Sequence, residues 1–315
     1  MAPHIFPFCV FLEDTDAYEM VFNNRYMQYA TRALGDLLGW KEMSRLASEE
    51  DTHMYIREVL FHRFLQSAVL GDYCQVETVL YKLEDMKALF LIKMARLGNG
   101  NTPEAKPVPL VDMIVELGFN DEFGPGSLPP SVLDLDVRPD LPWGEIPPYY
   151  LKAVGTESKM GQMPHRSIAP HARDKCAVYP FVASMDMLDC NRDLNTQFVM
   201  HLYERSRNPI DPTTRATCLA SKSNTDCLRV VVRWDKVRFN HYGKVLLGDE
   251  LEIRTAQVED NEKNIVVVFH ALFTTGQNPE CIAHAIVTIM FISSTTKAPM
   301  AIPRELNQEV FAGDA

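Results

Sequence analysis

Glu13-Asp14-Thr15-Asp16 sets three carboxylates within four residues, directly ahead of a segment whose apolar residues recur at helical spacing. The first turn of a helix exposes backbone N–H groups that lack intrahelical partners, and the helix dipole is positive there. Such a start can polarise a carbonyl oxygen as an oxyanion hole does. A carboxylate held beside it can activate water or attack a carbonyl carbon directly. The same residues also suit plain capping, since aspartate ahead of a helix is a favoured N-cap.

A second polar run, Asp189-Cys-Asn-Arg-Asp-Leu-Asn195, stands ahead of another amphipathic segment, and Asp and Asn at this density also form turns that satisfy their own backbone. Cys190 lies inside it, but no histidine is placed to activate a thiol there. His62 and His241 fall in two similar strand segments and could line a cleft, although histidines on half-buried strands are commonly packed side chains. His270 and His284 alternate with apolar residues and read as sheet-face positions. No pair of histidines has metal-ligand spacing with a carboxylate, so neither a metal nor another cofactor is implied. Gly98-Asn-Gly100 reads as a hairpin turn, lacking the basic residue of a phosphate loop.

The elements that must carry these residues come in two similar sets. Glu58–Thr78 and Lys236–Thr255 share one order: strand, apolar link, Gly-Asp turn (Gly71-Asp72, Gly248-Asp249), strand. After the first turn, Tyr73, Gln75 and Glu77 alternate with Cys74, Val76 and Thr78, as a half-buried strand requires. The halves also open alike, with Phe6-Pro-Phe8 and Tyr179-Pro-Phe181 preceding an acidic motif and a helix. Phe22, Tyr26, Tyr29, Ala33 and Leu37 give the first helix, about Val21–Leu38, one apolar stripe. The second runs from about Leu194 to Ser206, with Phe198, Met200 and Leu202 inward. Strands follow over Ala88–Ala95 and Val108–Leu117, and over Ile265–Phe273 and Cys281–Ile292.

Residues 120–172 carry prolines at a density that prevents ladder hydrogen bonding. They read as a linker, packed on the surface through Trp143, Tyr149 and Tyr150. The predicted organisation is a first module over 1–119, this linker, and a second module over 173–315. The chain's 315 residues suit two such domains.

Composition narrows the function classes. Hydrophobic residues at 46% and charged residues at 23% are ordinary for a soluble protein, and no apolar run is long enough for a membrane span. The start of the chain lacks a basic region, and Pro7 interrupts its apolar stretch, so it reads as a first strand and not a signal peptide. Seven scattered cysteines with no C-x-x-C pair argue for a reducing, cytoplasmic setting. A net charge of −11 repels a phosphate backbone, which disfavours nucleic acid as a partner.

The first acidic run with its helix resembles the hot-dog thioesterases of the 4-hydroxybenzoyl-CoA type, whose pattern is approximately E-D-T-D-x-G-G-V-V-Y-H-x-x-Y. Glu13-Asp14-Thr15-Asp16, Val21-Phe22 and Tyr26 stand at matching positions, and Gly71-Asp72 resembles that family's Gly-Asp turn. The glycines are replaced by Tyr18 and Glu19, and the histidine by Asn23. The second run resembles the D-x-N-x-H-x-N motif of acyl-carrier-protein thioesterases through Asp189, Asn191 and Asn195, with Asp193 in place of histidine.

The resemblance implies an α+β double hot-dog, two long helices each wrapped by an antiparallel sheet, joined into roughly ten strands. One polypeptide would then supply both halves of what is usually a homodimer, as a monomeric pseudo-dimer or a higher homo-oligomer. The implied activity is hydrolysis of an acyl thioester of coenzyme A or an acyl carrier protein, in fatty acid or polyketide metabolism. Asp16 would be the base or nucleophile, the Asn23 amide the oxyanion donor, and Tyr26 or Asn24 a positioning group. Asp189, Asn191 and Asn195 would contact substrate, with His62 and His241 lining the cleft. The net charge of −11 is a mild argument against docking an acidic carrier protein or coenzyme A phosphates, which a local basic patch including Arg63, Arg238 and Lys244 could override. Two rival readings are a dehydratase or cyclase acting on a carrier-bound chain, which needs a histidine facing Asp16 or Asp189, and an acyl-binding protein without catalysis.

Overall fold

The computed structural model describes residues 3–15, 19–49, 52–84, 87–99, 102–121, 124–138, 176–188, 196–206, 227–239, 245–262, 265–293, 295–296 and 298–301. Asp16, Tyr18, Asp189, Cys190, Asn191, Asp193, Asn195, His241 and Lys244 lie outside the described residues, as do Trp143, Tyr149 and Tyr150. The chain divides into two compact units, Met1–Thr156 and Glu157–Ala315, and the division falls inside the proline-rich segment.

The first unit contains β1 (His4–Cys9), α1 (Asn23–Leu38), α2 (Trp40–Glu49), β2 (His53–Phe64), β3 (Asp72–Glu84), β4 (Lys87–Asn99), β5 (Thr102–Asp121), a two-residue β6 (Gly124–Pro125) and a short α3 (Pro130–Leu133). Its strands are antiparallel in the order β1-β3-β4-β5-β2, with β6 beside β5. The second unit has β7 (Ala177–Val182), α4 (Thr196–Ser206), β8 (Cys227–Phe239), β9 (Glu250–Glu262), β10 (Ile265–Thr274) and β11 (Cys281–Ser293). Its order, β8-β11-β10-β9-β7, is that of the first unit strand for strand, with antiparallel pairing throughout. Antiparallel sheet thus dominates both units, and helices are few.

Period-two alternation explains how β3 faces two environments: Cys74, Val76 and Thr78 are buried, while Tyr73 is exposed. The buried set shares one face with Ile92 and Met113, and α1 packs on that face. Pro7 and Pro180 sit on β1 and β7, the outermost strands next to β3 and β9, where a missing donor is tolerated. Asn99 pairs with Thr102, which closes β4 and β5 into the hairpin expected at Gly98-Asn-Gly100.

Several boundaries differ from the sequence reading. Helix α1 begins at Asn23, and its buried stripe is Tyr26, Met27, Ala30, Ala33, Leu34 and Leu38, with Tyr29 also inside. Phe22 is 38% exposed because it is the residue that turns the chain into the helix, and Leu37 is only half-buried. Over its described residues, Thr196–Ser206, α4 buries Val199, Met200, Leu202 and Tyr203, while Phe198 is half-buried. The sequence reading placed no helix at α2, which starts straight after Gly39, a residue at φ +87°. Part of the proline-rich segment belongs to the first unit: Gly126 donates to Phe119 at 2.7 Å, Arg138 donates to Leu80 at 2.9 Å, and Val132 is fully buried.

Candidate active site

The acidic run folds as a 3-10 turn over Leu12–Asp14, and α1's first turn is fastened to it. The Phe22 amide donates to the Asp14 carbonyl at 3.0 Å, and an Arg25 guanidinium nitrogen donates to the Glu13 carbonyl at 3.0 Å. The Asp14 carboxylate is buried, accepts from the Phe11 amide at 3.2 Å, and lies 3.8 Å from Arg25 Nε. Asp14 is therefore the structural carboxylate of the run. Sequence reasoning missed both it and Arg25, although an arginine beneath three acidic residues is a visible signal of such a clamp.

The segment that follows is tied at both ends. Thr15 bridges Val21, and Met20 bridges Val69. Val21 donates to the Ala68 carbonyl at 3.0 Å, and Leu70 donates to the Glu19 carbonyl at 2.9 Å. Glu19 has φ +61°, a left-handed conformation that glycine adopts freely and other residues rarely. It occupies one of the two positions at which the resembling pattern has glycine, so the backbone accounts for that glycine and the glutamate stands there in a strained conformation.

On the other side stands the Gly-Asp turn. Gly71 takes φ +82°, and Asp72 is fully buried. One Asp72 oxygen accepts from the Val69 amide at 2.8 Å, the other accepts from the Asn99 side chain at 2.7 Å, and Arg96 lies 3.5 Å away. Tyr26 links this turn to α1: its hydroxyl accepts from the Ala68 amide at 2.8 Å. Burial raises the Tyr26 phenol well above its ordinary value, so it stays protonated. Tyr29 is raised likewise, by burial and then by the adjacent Asp14 carboxylate.

The structure thus brings Asn23, Asn24 and Tyr26 together between the acidic turn and the Gly-Asp turn. Asn23 is the first residue of α1, and Asn24 Oδ1 is buried with no hydrogen-bond partner among the described residues. His62 belongs to the same neighbourhood through an aromatic row. Its ring is 4.2 Å from Phe64, and Phe64 is 5.7 Å from Tyr26. His62 is completely buried, and desolvation lowers its pKa to about 3.

The second unit repeats the backbone bonds around the Gly-Asp turn. Ala183 donates to Asp249 at 2.8 Å and Gly248 donates to Ala183 at 2.9 Å, as Val10 donates to Asp72 at 3.0 Å and Gly71 donates to Val10 at 3.1 Å. A 3-10 turn at Met185–Met187 matches Leu12–Asp14. Registered this way, Asp16 and Asp189 occupy the same position in sequence, and Asn23 corresponds to Thr196. By ladder register Phe239, which pairs with Ala283, corresponds to Phe64, which pairs with Val111, so His62 has its counterpart before Phe239 on β8 and is not equivalent to His241.

Other candidate groups are less suited to the chemistry. The Cys74 and Cys281 thiols are pushed up to about 12, chiefly by burial, which keeps them from acting as nucleophiles. His270 Nδ1 and the Thr255 hydroxyl share a 2.9 Å hydrogen bond in the second unit's core, and His284 stacks on Phe269. Arg63 is engaged by Asp112 at 2.6 Å, which weakens it as a docking cation. A cavity of about 520 Å³ opens beside Leu37, Thr78 and Arg138, and one of about 730 Å³ beside Phe181, Glu252 and Arg254. Neither is lined by a predicted site residue.

No family model and no curated protein matches the chain. Solved structures do. A protein from Lactobacillus plantarum assigned as an oleoyl thioesterase is similar over 95% of this chain and 97% of its own, with a TM-score of 0.64 and 11% identity. The 12:0-ACP thioesterase from Umbellularia californica is similar over 90% and 92%, with a TM-score of 0.58 and 13% identity. The fold is that of the acyl thioesterases. An acyl-ACP thioesterase from Bacteroides thetaiotaomicron, at TM-score 0.57 and 11% identity, aligns over 90% of this chain and 96% of its own. At such identities the likeness is one of fold, and it extends through both units.

Proposed function

We propose that the chain hydrolyses an acyl thioester of coenzyme A or an acyl carrier protein, and that each unit is a hot-dog module. The observation that carries this reading is the fastening of α1's first turn between the acidic turn and the Gly-Asp turn, in a fold held in common with acyl thioesterases. Asp16 directly follows Thr15, which is bridged to Val21, so its sequence position ties it to the start of α1.

In this reading the backbone amide of Asn23 donates to the thioester oxygen as negative charge develops on it. Asp16 either deprotonates the attacking water or attacks the carbonyl carbon itself, giving an anhydride that water then opens. The carbon–sulfur bond breaks, the electron pair leaves on sulfur, and the thiolate takes up a proton. A thiolate leaves readily, so no histidine is required. Tyr26 acts as a positioning residue, holding Ala68 against α1. Asn24 offers a buried side-chain oxygen with no hydrogen-bond partner among the described residues. In the second unit Asp189, Asn191 and Asn195 would contact substrate, as His62 and His241 would in the acyl cleft. His62, neutral down to about pH 3, is poorly suited to the proton transfers that a dehydratase asks of a histidine.

A cytoplasmic place in fatty acid or polyketide metabolism completes the proposal. It is supported by free thiols at Cys9, Cys74, Cys176 and Cys281, and no described helix is long and apolar enough to cross a membrane. The test is release of free thiol from acyl-CoA, acyl-pantetheine and acyl-ACP panels. Turnover on at least one class is expected, and none from the folded protein on any would overturn the proposal.

A further inference from the structure

Neither Nδ1 nor Nε2 of His62 has a hydrogen-bond partner among the described residues, although the side chain is completely buried. A neutral imidazole always offers one donor and one acceptor, and buried polar groups are paired with few exceptions. The surroundings account for the missing partners. His62 pairs across the sheet with Met113 on β5, Met113 pairs with Ile92 on β4, and the Phe64 ring lies 4.2 Å away. Nothing among the described residues that His62 packs against requires an imidazole. Desolvation keeps the ring neutral, which preserves the donor–acceptor pair at any physiological pH.

The position is as informative as the burial. His62 and Phe64 share one face of β2, so His62 lies about 7 Å further along the strand from its end. Phe64 is half-buried and is followed by exposed Leu65, Gln66 and Ser67, then by Ala68, whose amide holds Tyr26. His62 therefore sits below the place where α1's first turn meets the end of β2, with Phe64 between.

We propose that His62 hydrogen-bonds a hydroxyl group carried on the acyl chain, so that the site selects hydroxyacyl thioesters over unsubstituted ones. This rests on the thioesterase reading and adds a substrate class to it. A plain alkyl chain laid against the imidazole leaves its donor and acceptor unmet, whereas a hydroxyl can accept from one nitrogen and donate to the other. A charged group is disfavoured because it would be buried without a counter-charge. Phe64 is the side chain that swings aside to admit the chain.

The experiment compares octanoyl-pantetheine with a series whose hydroxyl is moved from C3 to C8, using the full-length chain and its His62→Phe and His62→Asn variants. At one or two neighbouring positions the wild type should favour the hydroxylated substrate in kcat/KM by about ten-fold or more. That ratio should fall to about one in His62→Phe and be partly kept in His62→Asn, which still offers a donor and an acceptor. The Tm of His62→Phe should not fall, since no hydrogen bond to a described residue is lost. A wild type indifferent to every hydroxyl position, or a preference that survives His62→Phe, would overturn the proposal. Should no thioester be hydrolysed, the hydrolase reading fails separately. Calorimetric binding of the matched amide analogues then decides the role of His62: tighter binding of the hydroxylated analogue, lost in His62→Phe, supports it, and equal binding overturns it.

Discussion

The Tyr26 hydroxyl accepts from the Ala68 amide at 2.8 Å, and this single bond joins the first turn of α1 to the turn that ends in Asp72. Ala68 is fully buried, so Tyr26→Phe leaves its N–H unmet in the core. The substitution should cost about 1–3 kcal/mol in denaturant unfolding. Hydrolysis should weaken without disappearing; complete loss of turnover at unchanged stability would instead place the phenol in the chemistry.

Glu19 is a non-glycine residue at φ +61°. Replacing it with glycine removes the clash of Cβ in a left-handed conformation, against a smaller loss of chain entropy. Glu19→Gly should stabilise by roughly 0.5–1 kcal/mol. Unchanged or lowered stability in a thermal melt would mean that the Glu19 side chain contributes more than its backbone strain removes.

The two Gly-Asp turns differ in how much their aspartates hold. Asp72 binds Val69, Asn99 and Arg96 while fully buried, whereas Asp249 is half-exposed and accepts from the Leu246 amide at 2.7 Å. Asp72→Ala should therefore destabilise by about 3 kcal/mol or more, and Asp249→Ala by about 1 kcal/mol. Equal costs would show that the local turn, and not the wider network, carries the effect.

Burial holds the His62 pKa at about 3, below the ordinary 6.5, and His284 at about 4, by burial and then by Arg238. Between these values the unfolded chain binds protons that the folded chain does not. Their contribution to stability is intact above pH 6.5 and is lost as pH falls toward 3, at up to about 1.4 kcal/mol per pH unit for each group. Denaturant midpoints measured from pH 7 to 4 should fall, and His62→Phe should flatten that fall. An identical slope in the variant would contradict the burial of a neutral imidazole.

The repeat was legible in sequence because turn chemistry is local: Gly71-Asp72 and Gly248-Asp249 announce themselves by residue type, and the backbone bonds around them are equivalent. Helix α1 was legible from its apolar spacing, but its start was misplaced by two residues because Phe22 is apolar and exposed where the chain turns. Asp14 and Asp16 look alike in sequence; only burial and the contact with Arg25 reveal that Asp14 is committed to the fold. His62 and His241 were matched by composition, while the strand ladders align Phe64 with Phe239 and so put His62 two residues before that point. The isolation of His62 depends on Met113 and Ile92, residues from distant strands that no local pattern could bring to it.

The central claim is that the aspartate following the acidic turn of the first unit drives thioester hydrolysis. Thiol release should be measured for the wild type, Asp16→Asn and Asp189→Asn on the best substrate of the acyl-CoA, acyl-pantetheine and acyl-ACP panels. The account predicts a loss of about a hundred-fold or more in kcat for Asp16→Asn with the fold intact, and a smaller effect at Asp189. Wild-type turnover in a folded Asp16→Asn variant would contradict it.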